Sequence, residues 1–450
     1  MEDSSVLLSC HFSNVDCSIT QCNLRGKSMK IKGVNILVLG LGRSGEAAAD
    51  MLIELGANVY VYDDVKINNK FKIIENLDII ELCILSPGIS RQHKILKEVK
   101  ARKIHIISEL ELGTSFMSSD MSAITRTNGK TTTTMLVTEI LKEAGRVALS
   151  LGNIGIPVTK YALSMKSTDV AVIEVSSFQL ESTNIFKPKV ATIINLAPDH
   201  LDRHLDYEDY VSCKLSIFNH LDETSRAVIN YDNDVLREYA LSLKCEITFF
   251  SSKYKVKGCY IENSNIYCNC YICSLEDLAM TEPHNIENIL CAIAICSPYG
   301  ISAEKIRNVL MRFKPPEYRM SDRGIRDGKR IINDSKGTNI HSTMAACRAV
   351  IGDTALLLGG SDKGEDYTEI FNNLPDNIKY VIVSGDNAPA IIKAALSCHY
   401  NMICEYPTLK ECIECAKGLS VNNILFSPAS ASFDRYSNYV ERGEIFDSLI

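Results

Sequence analysis

The segment from Ser122 to Met135, which reads Ser-Ala-Ile-Thr-Arg-Thr-Asn-Gly-Lys-Thr-Thr-Thr-Thr-Met, constrains the fold most, because a short apolar strand turns directly into a helix there. Apolar residues recur at helical spacing over residues 136–144. A helix that starts at a strand end leaves backbone N–H groups free for phosphate, while Lys130 can neutralise phosphate oxygens and the Thr131 hydroxyl can bind Mg²⁺. The segment predicts a nucleotide site in an α/β fold. The first glycine of the longer P-loop pattern is missing, so a helix-capping turn is the alternative.

The size and charge of the chain limit its class. The chain has 450 residues, 46% of them hydrophobic, which at about 150 residues per domain predicts about three domains. The net charge of −7 argues against a nucleic-acid surface spread over the whole chain. Apolar runs such as residues 35–39 fall far short of the ~20 residues that span a bilayer, and the N-terminus lacks a secretory signal. We expect a cytoplasmic monomer whose partners are small molecules, with no membrane or nucleic-acid partner.

The cysteines are numerous but irregularly placed. Seventeen of them, an odd number, are spread through predicted strands and helices, which favours reduced thiols. Cys268, Cys270 and Cys273 form one cluster, in a predicted hairpin, and Cys412 with Cys415 form another in a helical stretch. Zinc or redox roles are open for both clusters, but we favour incidental cysteines over a metal site.

The N-terminal part of the chain reads as a βαβ unit. A strand at residues 36–39 runs into a glycine-rich loop, a helix follows, and a second strand at residues 59–62 ends at Asp63. Apolar runs at residues 79–85 and 104–107 extend a small parallel sheet. The loop residues that fit a dinucleotide-binding fingerprint, with the acid eighteen residues after the last glycine, are Gly40, Gly42, Arg43, Ser44, Gly45 and Asp63. NAD and another nucleotide diphosphate fit this fingerprint about equally.

Two further α/β blocks follow. The second contains the phosphate-binding segment and strands at residues 170–175 and 190–195, and the third begins after Pro315-Pro316. The third block alternates predicted strands at 330–332, 355–358, 380–383 and 424–426 with helical stretches at 387–396 and 409–417. The predicted domains are a tail at residues 1–28, a first domain at 29–108, a central domain at 109–315 and a C-terminal domain at 316–450.

Polar residues follow the two strands of the second block. Glu174 lies at the end of one strand, and Asp199-His200 follow the next. Carboxylate and imidazole at neighbouring strand ends can hold Mg²⁺ against phosphates. Either one alone would read as a solvated loop, but together with Gly-Lys-Thr they favour a Mg·ATP centre.

Seven motifs follow one another in the chain. They are Thr-Asn-Gly-Lys-Thr-Thr (127–132), Gly-Asn-Ile-Gly (152–155), Glu-Val-Ser-Ser-Phe-Gln-Leu-Glu (174–181), Asp-His-Leu-Asp-Arg (199–203), His-Asn-Ile-Glu-Asn (284–288), Asn-Asp-Ser-Lys-Gly-Thr-Asn (333–339) and Ser-Pro-Ala-Ser-Ala-Ser-Phe-Asp (427–434). In this order they resemble the Mur ligase family over residues 29–450. Ser86-Pro-Gly-Ile and the last motif, continuing to Arg442-Gly443, resemble the members of the family that add D-glutamate.

The resemblance implies a three-domain α/β ligase of peptidoglycan precursor synthesis. The first domain, a Rossmann-like one, would hold the UDP of the substrate, so NAD becomes a distant second. The central P-loop-type domain would bind ATP and two Mg²⁺ ions, and the C-terminal domain, also Rossmann-like, would bring the amino acid. ATP would phosphorylate the carboxylate of UDP-N-acetylmuramoyl-L-alanine, and the amine of D-glutamate would attack the acyl phosphate.

The resemblance also assigns roles to individual residues. Lys130, Glu174, His200 and Lys214 would be catalytic, and Lys214 would be carbamylated. Thr131, Glu174, His200 and Lys214 would hold the metal ions. ATP would be bound by Thr127, Asn128, Gly129, Lys130, Thr131, Thr132, Asn285, Asn288, Arg319 and Asp334. The UDP-linked substrate and D-glutamate would be bound by Gly40, Gly42, Arg43, Ser44, Asp63, Ser86, Asn153, Ser176, Arg203, Lys336, Thr338, Lys363, Ser432 and Phe433.

The chain departs from the family pattern at two positions. Arg126 stands where the family usually has glycine. If φ is positive at this position, that backbone conformation costs arginine ~1–2 kcal/mol. With a negative φ, its guanidinium could point outward or onto phosphate, and we expect retained activity with altered ATP affinity. Tyr318 stands where histidine is common, beside the predicted ATP contact.

Two alternatives stay open at this point. A folylpolyglutamate synthase-like ligase would share the central domain, but the Gly40 loop and the motif at 427–434 argue against it. A non-catalytic nucleotide-binding relative would keep the fold while Arg126 disables the loop. The presence of Lys130, Glu174, His200 and Lys214 argues against that alternative.

Overall fold

The computed structural model describes residues 21–24, 27–64, 70–127, 130–197, 203–281, 283–314, 317–362 and 366–450. Three sheets, of five, nine and six strands, follow one another along these residues, each flanked by helices, so the predicted α/β class is confirmed. Within the described ranges, no helix has the length and apolar character needed to cross a bilayer.

The first sheet is a small parallel one in the order β5-β4-β3-β6-β7. Its central strand is buried almost throughout, because helices cover the sheet. The predicted strand at 79–85 starts later, since the Asn76 side chain caps a 3₁₀ turn at Leu77–Ile79. A hairpin, β1 with β2, precedes the sheet; it begins within the segment predicted as a tail, residues 1–28, and ends at Lys30, inside the predicted first domain. The elements are β1 (Gln21–Leu24), β2 (Lys27–Lys30), β3 (Asn35–Leu39), α1 (Arg43–Glu54), β4 (Asn58–Tyr62), β5 (Lys72–Ile73), β6 (Leu82–Leu85), α2 (Lys94–Ala101), β7 (His105–Ser108) and α3 (Glu109–Phe116).

The second sheet has nine strands in the order β16-β15-β14-β13-β12-β11-β8-β10-β9, and among these strands β15 alone runs antiparallel to its neighbours. Apolar residues of α4 and α8 share one core on a face of this sheet. The elements are β8 (Asp120–Thr125), α4 (Lys130–Glu143), β9 (Ala148–Gly152), β10 (Val170–Glu174), α5 (Ser177–Leu180), β11 (Val190–Ile193), α6 (Tyr207–Leu215), β12 (Arg226–Asn230), α7 (Asp234–Ala240), β13 (Glu246–Ser251), β14 (Gly258–Glu262), β15 (Asn265–Cys268), β16 (Cys270–Ser274), α8 (Pro283–Cys296) and α9 (Ala303–Leu310).

The third sheet has six strands in the order β17-β18-β22-β19-β20-β21, and β17 is its antiparallel edge. The predicted strands and helices of this block agree with the structure to within about two residues at each end. The elements are β17 (Ser321–Arg326), β18 (Lys329–Asn333), α10 (Ile340–Ala349), β19 (Thr354–Leu358), α11 (Thr368–Asn372), β20 (Ile378–Val383), α12 (Ala388–Ser397), β21 (Ile403–Glu405), α13 (Leu409–Gly418), β22 (Asn423–Phe426) and α14 (Tyr439–Leu449).

One cysteine pair differs from the expectation of reduced thiols. Cys259 on β14 lies directly opposite Cys268 on β15, and the two are joined by a disulfide. Opposed residues on neighbouring antiparallel strands have their side chains on the same face, which brings the sulfur atoms together.

The strand order places the candidate site. Strand β8 lies between β10 and β11, and its last residues, Ile124 and Thr125, are in register with Glu174 and Ile193. The segment after Thr125 therefore leaves the sheet beside the ends of two neighbouring strands. Crevices at the carboxyl ends of parallel strands are where α/β proteins bind ligands.

Candidate active site

The predicted phosphate-binding segment joins β8 to α4, and Lys130 is the first residue of that helix. Thr127 is buried, and its hydroxyl lies 3.1 Å from the Ala197 carbonyl oxygen and 2.9 Å from the Tyr210 hydroxyl. Thr131 accepts a hydrogen bond of 3.2 Å from Arg319 Nη2. Of the other residues predicted here, Asn128 and Gly129 lie outside the described residues.

Glu174 is buried at the end of β10. Its Oε1 accepts a hydrogen bond of 2.8 Å from Asn153 Nδ2, whereas Oε2 has no hydrogen-bond partner in the part of the chain that the structure describes. A buried carboxylate oxygen without a donor is costly unless a cation compensates it. Glu174 therefore fits the predicted metal role. The second predicted ligand, His200, lies outside the described ranges.

Lys214 is buried in the last turn of α6. Its Nζ donates to Thr125 Oγ1 and to the Arg126 carbonyl oxygen, both at 3.1 Å. The same nitrogen lies 4.8 Å from the centre of the Tyr210 ring. The lysine predicted to be carbamylated therefore contacts the first residues of the phosphate-binding segment.

A cavity of about 600 Å³ lies between the second and third sheets. It is lined by residues that we predicted to bind ATP and by Lys336, which we predicted to bind D-glutamate. The predicted residues that line it are Thr132, Asn285, Asn288, Arg319, Asp334 and Lys336. Lys253 and Glu287 also line it and were missed. Glu287 belongs to the His-Asn-Ile-Glu-Asn motif, which could have indicated it, whereas nothing in the sequence marks Lys253.

Arg126 lies in the same cavity, with a φ outside the left-handed region. Its side chain is buried, and Nη1 donates to Asn288 Oδ1. Burial lowers the pKa of Arg126 to about 10, with Glu287 opposing that effect. The residue therefore stays charged at neutral pH, and its guanidinium points towards the predicted adenine side instead of outward.

The asparagines and Asp334 form short contacts around this cavity. Asn288 Oδ1 also accepts from Thr133 Oγ1 at 3.2 Å, and Asn288 Nδ2 donates to Asn285 Oδ1 at 3.1 Å. Asp334 accepts from Ser427 Oγ at 2.6 Å and from the Met320 backbone N–H at 3.1 Å. Burial raises the pKa of Asp334 to about 6, although these two hydrogen bonds oppose the shift.

Tyr318 does not line the cavity. Its φ is +63°, and its ring lies under the Arg323 guanidinium at 5.4 Å. A Cβ at Gly443 would lie 2.3 Å from this ring, so the tyrosine packs closely on α14.

The glycine-rich loop of the first sheet is held by side chains that follow the two neighbouring strands, β4 and β6. Gly40 has a φ of +94°, and a Cβ at Gly45 would lie 1.8 Å from the Gly40 carbonyl oxygen. Ser86 Oγ donates to that oxygen at 2.7 Å, and the Leu41 N–H donates to Asp63 Oδ2 at 2.6 Å. Asp63 therefore holds the loop with at least one carboxylate oxygen. Gly42 caps α1, which begins with Arg43 and Ser44.

Ser176 and Arg203 belong to segments that follow two strands of the second sheet, β10 and β11. Ser176 forms a capping box with Gln179 at the start of α5. Arg203 donates from Nη1 to the Pro87 carbonyl oxygen at 2.6 Å and from Nη2 to Glu181 Oε2 at 3.0 Å. These contacts join the loop after Ser86 to the second sheet.

The residues predicted around D-glutamate are more dispersed. Lys336 Nζ lies 4.0 Å from the centre of the Tyr439 ring, and the Thr338 N–H donates to the Lys336 carbonyl oxygen at 2.8 Å. Ser432 is buried, whereas Phe433 is 74% exposed. Neither lines the cavity. Lys363 lies outside the described residues.

Arg442 was given no role by the sequence beyond the Arg442-Gly443 pair. It is buried, and its guanidinium donates to the carbonyl oxygens of Ser335 at 2.7 Å, Ser430 at 3.0 Å and Ala431 at 3.1 Å. Burial lowers the pKa of Arg442 to about 10. It ties the motif at 333–339 to the motif at 427–434.

The fold and the strand-to-helix site match a known class. Residues 124–296, which include the last two residues of β8 and all of α4, β10 and α8, match the family described as Mur ligase middle domain. Among solved structures with the same fold are MurF from Acinetobacter baumannii, with a TM-score of 0.61, 16% identity and coverage of 96% of this chain and 97% of that one. MurF from Thermotoga maritima, solved in complex with ADP, has a TM-score of 0.59, 16% identity and coverage of 97% and 99%.

Relatives at higher identity narrow the class. The UDP-N-acetylmuramoylalanine--D-glutamate ligase of Alkaliphilus metalliredigens is 35% identical over 94% of this chain and 99% of its own. The ligase of the same name from Thermoanaerobacter pseudethanolicus is 36% identical over the same shares. The chain belongs to this family of UDP-N-acetylmuramoylalanine--D-glutamate ligases.

Proposed function

We propose that this protein is an ATP-dependent ligase that joins D-glutamate to UDP-N-acetylmuramoyl-L-alanine during peptidoglycan precursor synthesis. The observation that carries the proposal is the 3.2 Å hydrogen bond from Arg319, in the segment that enters the third sheet, to Thr131 at the start of α4. A cation from one sheet thus reaches the phosphate-binding segment of another, across a cavity large enough for a nucleotide. The family to which the chain belongs supports the same reaction.

ATP would occupy this cavity with its phosphates at the start of α4. The helix N-terminus and Lys130 would bind the phosphates, and Asn285 and Asn288 would lie on the adenine side. Thr131, Glu174 and His200 would hold two Mg²⁺ ions, which would neutralise charge on the transferring phosphoryl group. The buried Oε2 of Glu174, which has no hydrogen-bond partner among the described residues, supports this role.

Lys214 would act as a carbamate in this site. Its buried amine already lies 3.1 Å from Thr125 Oγ1 and the Arg126 carbonyl oxygen, at the start of the phosphate-binding segment. Carbamylation converts an ammonium into an anion, which would add a negative charge beside the metal ions. We expect ¹³C NMR of the folded protein in ¹³C-labelled bicarbonate at neutral pH to show one carbamate carbon that is missing in Lys214→Gln, and activity to fall when CO₂ is removed from the buffer.

The remaining predicted residues would hold the other two substrates. The Gly40 loop with Asp63 and Ser86 would bind the UDP group, while Asn153, Ser176 and Arg203 would approach the muramoyl part. Lys336, Thr338, Lys363, Ser432 and Phe433 would face D-glutamate, whose two carboxylates need cationic and hydroxyl partners. A monomer in the cytoplasm, where ATP and nucleotide-linked precursors are available, is part of the proposal.

The order of steps follows from the chemistry of the carboxylate. A carboxylate is a poor electrophile, so transfer of the γ-phosphoryl group to it first provides a leaving group. The amine of D-glutamate then attacks the acyl carbon, the C–O bond to phosphate breaks, and the amine loses a proton. This chain's part is to hold the amine in line and to keep water away from the acyl phosphate.

Phosphate release with Mg·ATP and UDP-N-acetylmuramoyl-L-alanine tests the proposal. D-Glutamate should stimulate release, whereas L-glutamate, L-alanine, meso-diaminopimelate and L-lysine should not. Glu174→Gln should abolish the stimulation because it removes the carboxylate charge. Stimulation by a different amino acid would overturn the substrate assignment, and no turnover with any of them would favour a non-catalytic relative.

A further inference from the structure

Arg91 lies just beyond the Ser86-Pro-Gly motif and reaches from the first sheet to the second. Its Nη1 lies 2.6 Å from Asp209 Oδ2, and its Nη2 lies 3.3 Å from both Glu181 Oε1 and Cys213 Sγ. The same nitrogen is 3.4 Å from His204 Nδ1. All four of these partners belong to the second sheet and its helices. We call this group the Arg91 cluster.

Glu181, His204 and Cys213 alone would suggest a metal site, since their ligand atoms lie within 4.8 Å of one another. The Arg91 guanidinium contacts all three, and Arg203 also donates to Glu181. A metal ion would therefore have to displace one cation and lie beside another. These side chains therefore form a binding site for the Arg91 guanidinium and not a metal centre.

The Arg91 cluster leads directly to two residues of the proposed active site. Asp209 lies in the first turn of α6, and Cys213 immediately precedes Lys214 on the same helix. His204 Nε2 lies 3.0 Å from the hydroxyl of Ser177, which begins α5 three residues after Glu174. The Arg91 side chain thus connects the loop after β6 to α6 and, through His204, to the start of α5.

We propose that Arg91 is a positioning residue that holds α6, and with it Lys214, in place relative to the loop after β6. This loop contains Ser86 and is part of the proposed site for the UDP-linked substrate. The inference rests on the proposed function, because it assumes that this loop binds that substrate. Binding at the loop would restrain Arg91, and Arg91 would restrain α6 through Asp209 and Cys213. Its side chain is 28% exposed, so these charge-assisted contacts are only partly screened by water.

The test compares Arg91→Met and Arg91→Lys with Arg102→Met in the full-length protein. Arg102 is a matched control because it also contacts two carboxylates, Asp78 and Glu98, but both belong to the first sheet's own elements. We expect Arg91→Met to lower kcat by about 10- to 100-fold with little change in the KM for the UDP-linked substrate. Arg91→Lys should be intermediate, since an ammonium can keep the Asp209 contact but cannot reach all four groups. Arg102→Met should behave as the wild type.

Hydrogen exchange separates positioning from a purely structural role. UDP-N-acetylmuramoyl-L-alanine, added without ATP, should slow exchange of the α6 amides in the wild type and Arg102→Met but not in Arg91→Met. All three proteins should bind this substrate with similar Kd. A purely structural role would lower the melting temperature of Arg91→Met yet leave the protection of α6 in its folded fraction.

The outcomes separate the two proposals. If the wild type turns over but folded Arg91→Met keeps the wild-type kcat or the protection of α6, the positioning role is wrong and the proposed function stands. If the wild type neither binds nor uses the UDP-linked substrate, the proposed function is wrong and the positioning role fails with it.

Discussion

Gly152 ends β9 beside Glu174, and replacing it with alanine tests how tightly the proposed metal site is packed. Gly152 has a φ of +88°, and an added Cβ would lie 2.3 Å from the Glu174 carbonyl oxygen. That oxygen already accepts a hydrogen bond of 2.8 Å from the Asn153 N–H. Gly152→Ala therefore combines an unfavourable backbone conformation with a steric clash against the residue that carries the buried carboxylate.

Gly145→Ala isolates the first of these two effects. Gly145 has a φ of +84°, close to that of Gly152, but an added Cβ would meet no atom within 4 Å. The left-handed conformation costs alanine ~1–2 kcal/mol, which the less flexible unfolded chain offsets by ~0.4–1 kcal/mol. We expect Gly145→Ala to lower the free energy of unfolding by about 1 kcal/mol and to leave kcat unchanged.

The clash adds to this cost in Gly152→Ala. Contacts of a real Cβ below 3.0 Å essentially do not occur, so Gly152 or the Glu174 carbonyl must move by about 0.7 Å. Overpacking of this kind costs ~1–3 kcal/mol, which gives a total of about 2–4 kcal/mol. A displacement approaching 1 Å at Glu174 should also lower kcat by about tenfold or more.

Urea unfolding and phosphate release on the same preparations provide the assay. Gly152→Ala should be less stable than Gly145→Ala and should have a lower kcat at a temperature where both are folded. Equal stability and equal kcat in the two variants would refute it, because the variants share the conformational cost and differ in the clash.

Three further predictions concern charged side chains. Arg126→Gly should raise the KM for ATP by about tenfold, because it removes a buried cation and one of two donors to Asn288 Oδ1, and an unchanged KM would contradict this role. Asp334 should make the ligand-free protein less stable by about 3 kcal/mol as pH rises from about 4 to 6, because the folded state keeps its proton up to a pKa of about 6 while the unfolded state loses it near 3.8. Asp334→Asn should remove this part of the pH dependence in urea titrations, and identical slopes in both proteins would contradict the assignment. Arg442→Lys should lower the free energy of unfolding by at least about 2 kcal/mol, since an ammonium cannot replace the guanidinium on three carbonyl oxygens, and an unchanged urea midpoint would count against this reasoning.

Local patterns in the sequence predict much of this fold. The turn from β8 into α4 follows from apolar runs of different period on either side of Gly129-Lys130, and the strand at 59–62 is observed as Asn58–Tyr62. The strand predicted at 79–85 begins late, because a cap at Asn76 competes with strand formation over short range. Boundaries shift where side-chain capping and apolar alternation favour different structures.

Long-range contacts were not accessible to this reasoning. Arg91 contacts Asp209, 118 residues away, and Arg126 contacts Asn288, 162 residues away. Such pairs depend on how sheets and helices pack, which neither periodicity nor motif spacing specifies. Asp63 is a related case. Its spacing from the glycines predicts a ligand contact, whereas its Oδ2 accepts a hydrogen bond from the Leu41 N–H of the glycine-rich loop.

The charge of the cavity shows why net charge is a weak guide to ligand class. The chain as a whole carries −7, yet among the described residues the cavity is lined by four basic side chains and two acidic ones. Burial raises the pKa of both acidic groups, Glu287 and Asp334, which favours their neutral forms and weakens the negative charge beside these cations. The cavity can therefore attract a polyphosphate although the protein's overall charge would repel it. Because charges in a partly enclosed site are screened less than those on an open surface, we expect added salt to weaken ATP binding less than it would weaken an exposed ion pair.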